Sequence, residues 1–294
     1  MPTDAFPFVP YCGAPPVPGG LSTAWNTDPW LLAVFGLAAV GLAAVTGRAR
    51  TAAGTSGRRS WCLAAGWLVL GIAFISPLCN LTSALFSARV AQQLLTVQVA
   101  APLFVLGWPA GAVGWPRWLR TAVRPLERPE LAWGLFGVTL WIWHLPGPYM
   151  AALANDAVLW LMHGTLLAGA VAAWRSILAP AGNAMRLRGL LAAFGTSVHL
   201  AMLAGLLIFA GTPLFPYHLS TTAAWGLSPL ADQQLGGVIM GVVGALGYVA
   251  LVLAGAARWL RQSADDRIWD ERIWDERIWS KRIEDGRFSG GKAG

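Results

Sequence analysis

Apolar residues are concentrated in seven long runs along the chain, and short polar connections separate them. The runs span residues 30–46, 61–78, 85–107, 131–145, 157–174, 189–211 and 233–256. Most of them reach the roughly 17 to 25 residues that a helix needs to cross a bilayer. A lone apolar segment in lipid must satisfy its own backbone hydrogen bonds, so each run is predicted to be helical. The pattern therefore predicts an all-α, polytopic membrane protein with seven transmembrane helices.

Positive charges give the seven runs a direction. Of the 21 Lys and Arg residues, 20 lie in the connections after the first, third and fifth runs or beyond the seventh. Because positively charged connections stay on the cytoplasmic side, the N-terminus is predicted outside and the C-terminus inside. Charged residues make up 12% of the chain, about half the fraction typical of a soluble domain. The connections account for the net charge of +7, which therefore requires no nucleic-acid partner.

This direction divides the chain into three parts. Residues 1–29 form an external N-terminal segment, residues 30–260 the seven-helix transmembrane domain, and residues 261–294 a cytoplasmic tail. The tail contains the repeat DRIWD ERIWD ERIWS KRIED, and each five-residue unit advances about 140° beyond one helical turn. Its Ile and Trp residues therefore form no lasting apolar face. Two interpretations remain open: a weakly ordered tail, or a helix resting on the membrane through Trp269, Trp274 and Trp279.

The connections on the predicted outer side carry acids and no Lys or Arg: Asp4, Asp28, Asp156 and Asp232. These acids could form a mouth that attracts cations, or they could be solvated loop residues without a common role. Two cysteines, Cys12 and Cys79, fall on the same side. They could pair with each other or bind a metal, and their spacing does not decide between these possibilities.

The remaining cation, Arg89, lies inside the third run. Arg89, Gln93 and Thr96 are spaced i, i+4, i+7, so they share one helix face. A charge inside a membrane span is costly, and this face is therefore predicted to meet protein rather than lipid. We expect a polar cavity that contains Arg89 and Gln93 and is approached by Asp28 and Asp232. Arg89 could pair with an acid such as Asp232, or its long side chain could snorkel towards the surface.

Three histidines fall on three different predicted helices. At 1.5 Å rise per residue, His144 lies near the outer surface, His163 roughly 10 Å below it and His199 about 18 Å below it. Met202 shares a helix face with His199, and Met240 lies on the seventh helix. Imidazole and thioether ligands suit Cu(I), and two histidines could hold a haem. Each histidine could equally well make an interhelical hydrogen bond, and the two methionines could simply pack.

Several sequence stretches resemble the multi-span cytochrome c oxidase assembly factor family called CtaG. They are ISPLCNLTSALFSARVAQQLLTVQVAAPLFVLGWP, WIWHLPGPYMAAL, VLWLMHGTLL and WGLSPLADQQLGGVIM. The resemblance covers about residues 28–260 in the family's order. It implies a bacterial inner-membrane protein that helps to build haem-copper oxidase, with oxidase subunits or other assembly factors as partners. It also implies that the protein supplies or handles copper.

The chain departs from the family pattern at three positions. Arg89, Gln93 and Leu159 stand where the family typically has histidine, whereas His144, His163 and His199 match family histidines. A guanidinium stays charged and cannot ligate a metal. The resemblance therefore implies either copper binding with a reduced set of ligands, in which Met202 and Met240 would be weaker candidates, or an assembly role without metal.

Other functions are weighed against this one. Acids outside and His and Met inside the bundle suggest a transporter of copper or another cation, although the fixed charge of Arg89 opposes cation passage. A haem-binding electron carrier could use two of the histidines. A retinal-type receptor is excluded because Lys281 and Lys292, the two lysines of the chain, both lie in the tail. The sequence contains no catalytic constellation, so we expect no enzyme activity.

Overall fold

The computed structural model describes residues 6–53, 57–108, 118, 121, 124–178 and 182–284, and these residues form helices and connections without any strand. The principal helices, in chain order, are α1 Pro29–Ala53, α2 Gly57–Phe74, α3 Pro77–Ala84, α4 Phe86–Leu94, α5 Ala101–Gly107, α6 Pro129–Trp143, α7 Pro146–Ala154, α8 Asp156–Leu178, α9 Asn183–Phe209, α10 Pro229–Ile239 and α11 Leu246–Glu284. Two π-helical segments, Leu95–Ala100 and Met240–Ala245, connect α4 to α5 and α10 to α11. The all-helical prediction is confirmed for the described residues.

Four helical segments are long and apolar enough to cross a membrane: Phe86–Gly107, Asp156–Leu178, Ala184–Phe209 and Pro229–Arg261. A fifth candidate is the pair of α2 and α3, which meet at a bend of 44°. These five correspond to the third, fifth, sixth, seventh and second predicted runs.

The first and fourth predicted runs are helical but shorter than the others. The apolar stretch of α1 covers Pro29–Ala44, and α6 has 15 residues. A helix of that length spans about 22 Å, which is less than the roughly 30 Å of a hydrocarbon core. Among the described residues, the structure thus has four or five candidate spans where the sequence predicts seven.

Proline and extended residues divide the predicted runs into separate helices. Ser76 accepts a hydrogen bond from the backbone N–H of Leu78 and caps α3, which begins at Pro77. Leu85 is extended and separates α3 from α4. Proline fits the first turn of a helix because that turn has no intrahelical partner for its N–H groups. Phe86, which begins α4 directly after α3, packs against Tyr149 of α7 with ring centres 5.7 Å apart. The short helices α3 and α7 therefore lie at the same end of the bundle, where the chain also carries its disulfide.

The cysteines Cys12 and Cys79 form this disulfide, which joins residues 67 positions apart. Asn80, next to Cys79 on α3, donates hydrogen bonds from Nδ2 to the carbonyl oxygens of Cys12 (2.6 Å) and Ala14 (3.1 Å). Of the two interpretations left open by the sequence, the structure shows pairing. We call the end of the bundle that carries α3, α7 and this bond the disulfide end.

Close helix packing depends on glycine where α10 meets its neighbours. A Cβ built at Gly236 would lie 2.7 Å from a ring carbon of Phe86 on α4, and one at Gly237 would lie 3.0 Å from the carbonyl oxygen of Ala204 on α9. Without a hydrophobic drive between helices in lipid, such close approach is a main source of attraction. Gly236 and Gly237 therefore bring α10 against α4 and α9, where it positions the candidate site.

The chain divides into two units, Met1–Val249 and Ala250–Gly294. In the second unit, the described residues continue α11 as a helix to Glu284. Trp274 is 68% and Trp279 58% exposed, and both interpretations of the tail stay predictions. The side chain of Trp269 lies outside the described residues.

Candidate functional site

The N-terminus of α4 is capped by Asp232, which lies in the first turn of α10. Its carboxylate accepts hydrogen bonds from the backbone N–H groups of Phe86 (2.6 Å) and Ser87 (3.2 Å) and from the Ser87 hydroxyl. The residue is completely buried. Because a helix N-terminus has free N–H groups and a partial positive charge, a carboxylate is a favourable partner there. Asp232 thus joins α10 to α4 and fixes where α4 begins.

Arg89 is buried one turn further along α4. The residue is 3% exposed, and its guanidinium carbon lies 5.5 Å from the centre of the Tyr149 ring, within cation–π range. Its Nε and Nη1 atoms are buried without any hydrogen-bond partner. Among the described residues, the ion pairs are Arg175–Glu127 and Arg188–Glu130. Arg89 and Asp232 therefore do not form the ion pair that the sequence allowed, and Arg89 does not snorkel to the surface.

Two buried histidines, His163 and His218, interact electrostatically with Arg89. His163 on α8 is buried, its Nδ1 atom has no partner, and its ring packs edge-on against Phe74 at 4.7 Å. His218, in the turn Pro216–Leu219, bonds through Nε2 to the Tyr149 hydroxyl at 2.7 Å. We call Arg89, Tyr149, His163 and His218 the Arg89 cluster.

His218 is neutral in this setting. Burial, together with the nearby charge of Arg89, lowers the pKa of His218 to about 3, and a contact with the Ala84 carbonyl oxygen offsets only part of the shift. The cluster therefore contains one permanent positive charge and uncharged imidazole and phenol groups. Neither His218 nor Tyr149 is among the candidate site residues predicted from the sequence; the signal for His218 is the stretch FPYHLS, which combines aromatic rings with a histidine.

The other polar residues of the predicted cavity have separate partners. Gln93 and Thr96 are buried with Arg89 on one face, and the Thr96 hydroxyl donates to the Gln93 carbonyl oxygen at 2.7 Å. Asp28 is half-buried at the start of α1, where it accepts from the Trp30 backbone N–H (2.9 Å) and the Tyr11 hydroxyl. Burial and the Asp28 carboxylate raise the pKa of Tyr11. Asp28 thus caps α1 as Asp232 caps α4.

The remaining predicted ligands are dispersed. His144 ends α6 with Nδ1 2.7 Å from the Leu140 carbonyl oxygen. His199 on α9 accepts a hydrogen bond at Nδ1 from Trp141 Nε1 (3.1 Å), which leaves its proton on Nε2. Met202 is 55% exposed on the surface of α9, whereas Met240 is 2% exposed.

A family model described as cytochrome c oxidase caa3 assembly factor (Caa3_CtaG) matches residues 38–262, well over half of the chain. The chain belongs to this family. The resemblance seen in the sequence is thereby confirmed, and the protein is a multi-pass membrane protein of an oxidase assembly family rather than of an enzyme family. No curated protein and no solved structure shows significant similarity to the chain.

The family resemblance implies copper, so we asked whether the described residues contain a group of metal ligands. Within the described part of the chain, no group of three or more His, Cys, Asp or Glu residues could hold a metal ion. His199 presents a protonated Nε2 beside Gly137. Leu159, at a family histidine position, is buried and apolar. The described residues therefore contain no preformed group of three such ligands, and the predicted ligand set, with Met202 and Met240, remains a prediction.

Proposed function

We propose that this protein assists the assembly of haem-copper cytochrome c oxidase in the bacterial inner membrane, in contact with oxidase subunits or other assembly factors. The observation that carries the proposal is the family match over residues 38–262. The described polar residues support a non-enzymatic role. Asp232 and Asp28 cap helices α4 and α1, and Arg89 is buried.

We also propose seven membrane spans with the N-terminus outside and the C-terminus inside. The alternation of Lys and Arg between connections supports this direction. The disulfide supports it independently, because disulfides persist in oxidising compartments and Cys12–Cys79 lies at the end that would face outwards. An epitope tag at the N-terminus should react with antibody added to intact spheroplasts. A tag accessible only after lysis would overturn the arrangement.

The finer proposal is that the protein supports copper delivery or maturation of the metal centre, with His144, His163 and His199 as ligands and Met202 and Met240 as weaker ones. The match of the three histidines to family positions supports it, whereas their separation in the fold opposes a preformed centre. We derive no copper-transfer step from this geometry.

Cation transport, of copper or another ion, is the alternative function. The acids on the predicted outer connections favour it. Asp232, however, is completely buried and caps α4, and Arg89 carries a permanent positive charge one turn further along the same helix. A fixed charge in a low-dielectric site repels a like-charged ion strongly. Uptake of radioactive copper into inverted and right-side-out vesicles separates the two functions, since an assembly factor causes no net uptake.

Deletion of the gene in its source bacterium tests the assembly role. Oxidase activity and the haem spectrum of membranes should both fall, and plasmid-borne wild-type protein should restore them. Recovery of activity by added copper would assign the defect to copper delivery, and its persistence would assign it to another assembly step. Normal oxidase in the deletion strain under copper limitation would refute the proposal. His163→Ala, compared with the exposed control Arg175→Gln, then tests the cluster itself.

A further inference from the structure

Arg89 is the best-buried cation of the described residues, and it lacks the partner that such a group requires. Its Nε and Nη1 donors are both buried without an acceptor, and no carboxylate in the described part of the chain lies within ion-pairing distance. Removing a charge from water costs several kcal/mol in real proteins unless an opposite charge and hydrogen bonds compensate for it. The Tyr149 ring, 5.5 Å from the guanidinium carbon, offsets only part of this desolvation cost, because a desolvated cation–π contact contributes about 2 kcal/mol.

The two acids of the predicted polar cavity, Asp232 and Asp28, are hydrogen-bonded to other groups. Asp232 directs its carboxylate to Phe86 and Ser87 at the start of α4. Asp28 is bound to Trp30 and Tyr11 at the start of α1. The surrounding titratable groups, His163, His218 and Tyr149, supply no negative charge when neutral. The Arg89 guanidinium therefore lacks one negatively charged partner that can accept hydrogen bonds.

A second unpartnered polar atom, one that donates when it carries the ring proton, belongs to His163. His163 is buried, its Nδ1 atom is unsatisfied, and the Arg89 charge acts on its ring. Ser83 and Thr222, which flank the contact between Thr221 and the Ala84 carbonyl oxygen, also carry buried hydroxyls without partners. Buried polar groups without partners are uncommon in native proteins, so several at one end of a bundle indicate a ligand.

We propose that the Arg89 cluster binds a small monovalent anion, a halide or a small carboxylate, with Arg89 supplying the charge and His163 Nδ1–H a second donor. One negative charge balances one guanidinium, whereas a divalent anion would leave an uncompensated charge buried. The ion would stabilise the disulfide end, because α4, α7, α8 and the turn Pro216–Leu219 all contribute a member of the cluster.

Direct binding tests this inference on the full chain, purified in detergent in a buffer whose only anion is sulfate, which is divalent and therefore disfavoured in this site. Radioactive chloride, measured by scintillation proximity, should bind saturably at one ion per chain and raise the melting temperature. Arg89→Gln should abolish saturable binding, and Arg89→Lys, which keeps the charge, should retain it with weaker affinity. His163→Phe, which preserves the ring contact with Phe74, should weaken binding about tenfold, as expected for loss of one charge-assisted hydrogen bond.

Arg175→Gln is the matched control, because Arg175 is an exposed arginine whose removal should leave chloride binding unchanged. Displacement of chloride by unlabelled bromide but not by formate identifies a halide site, and displacement by formate identifies a carboxylate site. Absence of saturable binding with both labelled chloride and labelled formate would overturn the inference, as would wild-type binding by a folded Arg89→Gln protein. The assay needs no oxidase, so its result is independent of the proposed assembly role.

Discussion

Asp232→Ala tests the contact that holds α10 against α4. The substitution removes the acceptor of three hydrogen bonds, from the backbone of Phe86 and Ser87 and from the Ser87 hydroxyl. Because Asp232 is completely buried, water does not readily replace the lost acceptor. The first turn of α4 would then carry unsatisfied N–H groups next to the buried charge of Arg89.

The expected loss follows from these contacts. Each buried donor left unsatisfied costs about 1–3 kcal/mol, and loss of a charged N-cap costs about 0.5–2 kcal/mol. Partial relaxation lets Ser87 find another acceptor, so we expect a total of about 3–5 kcal/mol, the scale of breaking a buried polar contact. Asp232→Asn keeps one carbonyl acceptor and should lose about half as much.

Unfolding of the detergent-solubilised protein, followed by circular dichroism in increasing SDS, measures the difference. Asp156→Ala is the matched control, since Asp156 is an exposed acid in the first turn of α8 and contributes only a weak interaction with the helix dipole. If Asp232→Ala and Asp156→Ala unfold at the same SDS fraction, the capping role of Asp232 is refuted.

Three further predictions concern the disulfide, a buried histidine and a helix contact. Cys12→Ser opens a 67-residue loop and should cost about 4 kcal/mol by the loop-entropy relation; dithiothreitol should lower the melting temperature of the wild type and of Cys62→Ser equally. Because the pKa of His218 falls from 6.5 in the unfolded chain to about 3 in the fold, its contribution to stability is present above pH 6.5 and is lost as pH falls towards 3. His218→Gln should therefore flatten the acid dependence of the melting temperature in that window, and an unchanged slope would contradict the burial argument. Gly237→Ala places a Cβ 2.8 Å from Ile208 and should destabilise by about 1–3 kcal/mol, whereas Gly205→Ala, with open space around it, should not.

Much of the architecture follows from local patterns. The seven apolar runs coincide with the principal helices of the bundle, whereas α7 lies outside all of the runs and α11 continues to Glu284, well beyond the end of the seventh run. The spacing of Arg89, Gln93 and Thr96 places them on one helix face, and all three are buried. The family resemblance also rests on contiguous stretches of sequence. These features are readable because helix periodicity and turn chemistry involve residues close together in the chain.

Contacts between side chains on different helices could not be predicted from the sequence. The sequence places Asp232, Arg89 and three histidines in the outer half of the bundle, but depth says nothing about the rotation of each helix or the direction of each side chain. Only the packed structure shows that Asp232 caps α4 and that His199 is held by Trp141. Likewise, only tertiary contact brings Cys12 to Cys79 and leaves Arg89 buried without a carboxylate. The physical reason is that a hydrogen bond depends on atom positions to within a few tenths of an ångström, whereas a hydrophobic period specifies only which face of a helix is buried.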